Sequence, residues 1–185
     1  MKLRSSRLNS FMRLILLTSV FSGVIDVQES LCQSRESLLK AGYIEKFTHF
    51  VQWPVAPDSY TSTDTFCITV IGKNTFGSDL EDLFKKTKVK NNPVKVSYIS
   101  SVEELTNCMI LFISGSEKNN LEEILKYTTG KAILTISDSK GFGMAGVIIN
   151  MFSEGGYIKY EINKRTLEKS GLIINSLLLN YALII

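Results

Sequence analysis

Residues 141–146, GFGMAG, carry the G-x-G-x-x-G spacing with which a strand-to-helix turn can hold a pyrophosphate. That chemistry needs a helix to begin at the loop, because the amides of its first turn contact the phosphates. Here VIINMF follows, which is strand-like, and no βαβ unit continues from it. The stretch Gly72 to Gly77, GKNTFG, has P-loop spacing but lacks the Lys-Ser/Thr pair after its last glycine. Asn74 or Thr75 capping the next helix is the simpler account. The single histidine, His49, lies between Thr48 and Phe50 on a helical pattern, where a structural role is commoner than a catalytic one. No C-x-x-C and no G-x-S-x-G occurs, which speaks against a thiol oxidoreductase or a serine hydrolase. No metal site and no cofactor is expected. What remains is a glycine-rich loop entered through Ser137 and Asp138 and left through Gly146. Its glycines leave little room for a core role, so Phe142 and Met144 are expected to stand exposed, as interface anchors do.

The strand that delivers this loop is Ala132 to Ile136, a short β-branched run without alternation, the pattern of burial on both faces. Strands at Val147 to Phe152 and Tyr157 to Ile162 flank the Gly155-Gly156 turn and read as a hairpin. Upstream, strands are expected at Phe66 to Ile71, Val94 to Ile99 and Met109 to Ile113. Ser34 caps a helix from about Arg35 to Val51, with Leu39, Tyr43, Phe47 and Phe50 on its buried face and Ile44 and Val51 beside them. Trp53-Pro54 ends it. Further helices follow Gly77, Ser101 and Ser116, and Asn163 caps a last one that breaks at Gly171. The apolar run from Leu172 to Leu179 is expected to lie buried against the sheet. Alternating strands and helices predict an α/β three-layer sandwich, mostly parallel, with the hairpin as an antiparallel edge. The loops after Gly72, Ser114 and Ser137 would then meet beyond the carboxyl ends of the strands.

The chain has 185 residues, 44% hydrophobic, with a formal net charge of +3, too mild to argue nucleic-acid binding. Lys2, Arg4, Arg7 and Arg13 precede the apolar segment Leu14 to Ile25, and no acid stands before Asp26. That is the layout of a secretory signal, and the segment is short for a membrane span. The expected organisation is a signal peptide and leader over residues 1–30, cleaved on export, and one domain over 34–185. Export makes disulfides possible. Cys67 and Cys108 stand at the starts of two expected neighbour strands, which makes them a disulfide candidate; the alternative is two buried free thiols. Cys32 is left over.

Five blocks carry a resemblance: AGYIEKFTHFVQWP, FCITVIGKNTFG, NCMILFIS, AILTISDSKGFGMAGVIINMF and YIKYEINKRTLEKSGLIINSLLL. In that order, from about Leu38 to Leu179, they are similar to the YfiR-like family of exported bacterial proteins. The resemblance implies a periplasmic α/β sandwich that is regulatory rather than catalytic. It implies restraint of a membrane-bound diguanylate cyclase through its periplasmic domain, with redox-sensitive cysteines. Phe47, Trp53, Pro54, Glu161 and Asn163 match family-motif positions with a structural role. Cys67 and Cys108 fall in strands where the family often has cysteine. A second pair that some relatives carry around the glycine-rich loop is absent, and Gly141, Phe142, Gly143 and Met144 stand there instead.

The favoured function is therefore a periplasmic regulator, not an enzyme, that binds the outer domain of a membrane-bound diguanylate cyclase or sensor kinase. A homodimer is compatible with the same reading. The alternative is a small-solute-binding protein with Asn74, Ser114 and Asp138 converging on a pocket at the strand ends.

Overall fold

The computed structural model describes residues 35–54 and 65–185. The expected signal segment, Cys32, the Ser34 cap and most of the loop after Trp53-Pro54 lie outside them. Residues Ser37–Ile185 form one compact unit.

The run FCITVI makes strand β2, Phe66–Ile71, and ILFI makes β4, Ile110–Ile113, both buried almost throughout. Parallel to them lie β3, Val94–Ile99, and β5, Leu134–Ser137. The hairpin strands are β6, Ile149–Glu154, and β7, Tyr157–Ile162, joined antiparallel, and β6 runs parallel to β5. A short strand, β9, Leu183–Ile184, pairs parallel with β7 beyond it. The seven-stranded order is β3-β2-β4-β5-β6-β7-β9, so the hairpin does not end the sheet as expected. The last residues of the chain do. A separate antiparallel pair joins β1, Val51–Gln52, to β8, Ile173–Ile174, and the sequence pattern gave no sign of it.

Side chains alternate across the central strands, and each set finds its own helices. On one face Ile68, Val70, Ile110, Phe112 and Ile136 pack with helix α1, residues 35–50, and with α2, Asp79–Phe84. On the other Ile71, Leu111 and Ile113 pack with α3, Leu121–Thr128, through Leu121 and Ile124. The result is the three-layer α/β sandwich, mostly parallel, with helices on both faces.

Three expectations shift, each for a local reason. Strand β5 starts at Leu134 because the Ile133 amide turns back to the Lys131 carbonyl at 2.8 Å before the ladder begins. On α1, Ala41, Ile44 and Phe47 are buried while Leu39 is exposed, so the core-facing stripe is centred on the Ile44 side of the one expected. Beyond helix α5, Lys164–Ser170, the chain breaks at Gly171 (φ 73°) as expected. The apolar run that follows is only half buried. Leu172, Ile174 and Leu178 enter the core, whereas Ile173 and Leu177, the latter on helix α6, Ser176–Asn180, face outward.

Candidate functional site

The GFGMAG stretch is not an open loop. Phe142–Ala145 form one helical turn, α4, between Gly141 and Gly146, both at positive φ (85° and 123°). The amides of Gly146 and Val147 both reach the Phe142 carbonyl, at 3.1 and 3.0 Å. That closure uses up Val147, which is why β6 begins two residues later than the apolar pattern suggests. A turn this tight carries its side chains to opposite sides. Phe142 is 4% exposed and packs among Ile113, Leu121 and Val147, so its expected exposure is corrected: it is a core residue. Met144 is 75% exposed.

The turn is clamped from β7 and from the start of α5. A side chain at Gly143 would put its Cβ 2.2 Å from Glu161 Oε1, so only glycine lets the carboxylate lie this close. Glu161 Oε1 in turn accepts from Asn150 Nδ2 at 2.9 Å. Asn163 works twice: its Nδ2 donates to the Gly143 carbonyl at 2.9 Å, and its Oδ1 caps α5 by accepting from the Thr166 amide at 2.9 Å. The Glu-Ile-Asn motif is thus the brace of the glycine-rich turn. At Gly146 the positive φ itself requires glycine, and a Cβ would also press on Leu125 Cδ1 at 3.4 Å.

The entry to the turn is held as firmly. Ser137 is fully buried; its Oγ donates to the Ile113 carbonyl at 2.8 Å and accepts from the Ser139 amide at 3.2 Å. Asp138 pairs with Lys40 of α1 at 2.6 Å, both side chains largely covered. The neighbouring loops do converge, as expected. The Lys73 amide donates to Ser116 Oγ at 2.9 Å, and Ser139 Oγ fills the space beside Gly115. Their polar groups are spent on one another, however. Asn74 braces its own loop, accepting from the Phe76 amide and donating to the Gly77 carbonyl, both at 2.9 Å. Helix α2 starts instead after Ser78, with no side-chain cap. Ser114 Oγ accepts from the Ser116 amide at 3.5 Å, the long limit of such a bond. Asn74, Ser114 and Asp138 therefore offer no free convergent set to a solute.

Cys67 and Cys108 are free thiols, not a bridge. They sit at the starts of neighbouring parallel strands, with the Met109 amide bonded to the Cys67 carbonyl at 3.0 Å. Each sulfur turns to a backbone acceptor: Cys108 Sγ to the Ile110 carbonyl at 3.0 Å, Cys67 Sγ to that of Thr65 at 3.6 Å. Burial pushes the Cys108 thiol up to about 12 and raises Cys67 by the same cause, partly opposed by Lys95. Both are therefore protonated and slow as nucleophiles near neutral pH. His49 is exposed, with Nε2 2.6 Å from Glu45 Oε1. Among the described residues no cluster of three or more His, Cys, Asp or Glu side chains could hold a metal.

The remaining motif residues build the frame. Phe47 is fully buried, its ring 5.2 Å from Tyr160 and edge-on to it. Trp53 Nε1 donates to the Met109 carbonyl at 3.2 Å, and its ring meets Phe66 edge-on at 5.2 Å. Pro54 lies beside Gly171, 4.0 Å from where a Cβ there would stand.

The family model DUF4154, YfiR/HmsC-like, matches residues 37–183, which takes in every element described above from Ser37 to Leu183. The chain belongs to that family. No curated protein matches the chain. The family is a regulatory one, associated with periplasmic regulators in cyclic-di-GMP signalling. No helix among the described residues is long and apolar enough to cross a membrane.

Sequence reasoning also missed a surface feature. A groove of about 470 Å³ opens between α1, β7 and α6, floored by Phe47 and Tyr160. Its only signal was the C-terminal segment, apolar on nearly every side, which a core on one side of α6 could not absorb in full.

Proposed function

We propose that this family member is an exported regulatory protein that binds the periplasmic domain of a membrane-bound diguanylate cyclase or sensor kinase and restrains it, without catalysis of its own. The observation that carries the reading is Met144, a large apolar side chain 75% exposed on a turn that Glu161 and Asn163 brace. Because the backbone of the turn is already braced, docking has only the Met144 side chain left to order, which lowers the cost of making it an interface contact. Ser137, Asp138, Phe142 and Gly146 then hold the turn, and Met144 makes the contact. Membership of a family of periplasmic regulators supports the partner class.

The test is calorimetry or pull-down against the periplasmic domain of a membrane-bound diguanylate cyclase from the same organism, paired with cellular cyclic-di-GMP. Met144→Ala should cost roughly 1–3 kcal/mol of binding and raise cyclic-di-GMP, with thermal stability unchanged. Unchanged affinity in a folded Met144→Ala protein would remove this turn from the interface.

A further inference from the structure

The groove between α1, β7 and α6 has the marks of a small-molecule site. At about 470 Å³ it lies within the range of ligand pockets, and its lining is aromatic and apolar with few charges. Its floor is fixed. Tyr43 Oη donates to the Ile158 carbonyl and Tyr160 Oη to the Leu178 carbonyl, each at 2.9 Å. With those hydroxyls spent, the rings offer the groove carbon rather than polar atoms. Phe50 adds a further ring to the lining, and Leu177 and Tyr181 on the α6 side are 56% and 81% exposed.

The charge of the lining is one-sided: Lys46 and Lys159, and no carboxylate. Lys159 is already paired with Glu154. Lys46 is exposed and forms no ion pair among the described residues. An apolar trough with an unpaired cation at its rim is complementary to a molecule that has an apolar body and a negative end.

We propose that this groove binds a single-chain amphiphile with an anionic head, of the fatty-acid carboxylate class. The chain lies along Phe47 and Tyr160, and the head meets Lys46. An amphipathic helix from a protein partner is the poorer fit, since the wall formed by α6 is only five residues long. The site stands apart from the Met144 turn and does not depend on the function proposed for it. The two are nevertheless joined by one strand. On β7, Tyr160 packs under the groove while its neighbour Glu161 lies against Gly143.

The experiment is titration calorimetry of the full chain with decanoate, decanol and decyltrimethylammonium, each below its micelle concentration. Decanoate should bind saturably at one site, at least tenfold more tightly than decyltrimethylammonium, with decanol between. Lys46→Glu should weaken decanoate by about tenfold or more, as expected on losing a charge-assisted contact, and Lys46→Ala by less. Tyr181→Ser should weaken all three probes together, and Met144→Ala should change none. Both Lys46 and Tyr181 are exposed, so the folded state survives these changes, which a thermal melt verifies. The proposal is overturned if decanoate fails to saturate, if the cationic probe binds as well, or if Lys46→Glu leaves decanoate unaffected. It is equally overturned if decanoate does not bind while Leu177→Asp abolishes capture of the periplasmic partner domain, which would make the groove a protein-docking surface.

Discussion

The glycine-rich turn and the C-terminal segment are opposites in composition and in outcome. The turn is half glycine, and its composition argues that an aromatic within it must point to solvent; instead Phe142 is buried to within 4%. The C-terminal segment is almost entirely apolar, and its composition argues burial; instead Ile173, Leu177 and Leu183 are 60%, 56% and 56% exposed. The difference lies in what each segment is tied to. Three glycines at Gly141, Gly143 and Gly146 let the turn fold tightly enough to swing Phe142 into the space beside Val147. Two of them supply positive φ and the third leaves room for Glu161. The C-terminal segment is docked through Leu172, Ile174 and Leu178 and through the short strands β8 and β9, which bury one side of it and leave the other side outward. Composition reports how much apolar surface a segment carries. Tertiary contacts decide which part of it is hidden.

The widest separation between the two regions should come from Phe142→Ala. Removing a buried ring costs about 3–5 kcal/mol in cores of this kind. Urea unfolding of the variant should show that loss as a lower midpoint at unchanged slope. A cost below about 1 kcal/mol would mean that the ring spends its time outside, and the contrast between the segments would collapse.

Next in size is Gly143→Ala. The added methyl meets the Glu161 carboxylate, the far end of a side chain that Asn150 nonetheless holds in place. A cost of about 1–3 kcal/mol is expected from overpacking. Glu161→Ala relieves the clash, so the double variant should be more stable than the sum of the two single losses predicts. That non-additivity is the signature of direct contact. Strict additivity in the cycle would show that the Glu161 carboxylate does not press on position 143, and would leave the Asn163 bond to the Gly143 carbonyl as the brace of the turn.

Much of the fold was legible. Strands β2, β3 and β7 follow the apolar pattern residue for residue, because a run such as FCITVI between polar loops has no other stable use. The Asn163 cap and the break at Gly171 were legible too, since each depends on one residue's own chemistry. Features made by distant pairs were not. The β1–β8 pair joins residues more than a hundred positions apart through two-residue strands with no pattern to read. The free state of Cys67 and Cys108 depends on which way each sulfur turns at the strand start, and spacing carries no information about that. At the candidate site the sequence marked the turn and its bracing residues as separate motifs. Only the fold shows that Asn163 Nδ2 on the Gly143 carbonyl makes them one structure.

The smallest effects should be the most telling about what the exposed residues are for. Met144→Ser and Leu177→Ser each remove an apolar side chain that is mostly in water, so neither loses much burial free energy. Thermal and urea stability should stay within about 0.5 kcal/mol of the parent for both. Helix α6 adds a local reason for Leu177 to be neutral. Asn175 caps it, with Oδ1 accepting from the Leu177 amide at 2.9 Å, a bond that serine at 177 leaves intact. If both variants are neutral to folding, the two surfaces are retained for something other than stability, and binding assays on each become interpretable. A drop of 1 kcal/mol or more at Leu177 would instead show that the C-terminal segment closes over the groove in solution. The exposed and buried halves of that segment would then no longer be distinct, while the contrast at the turn between Phe142 and Met144 would stand on its own.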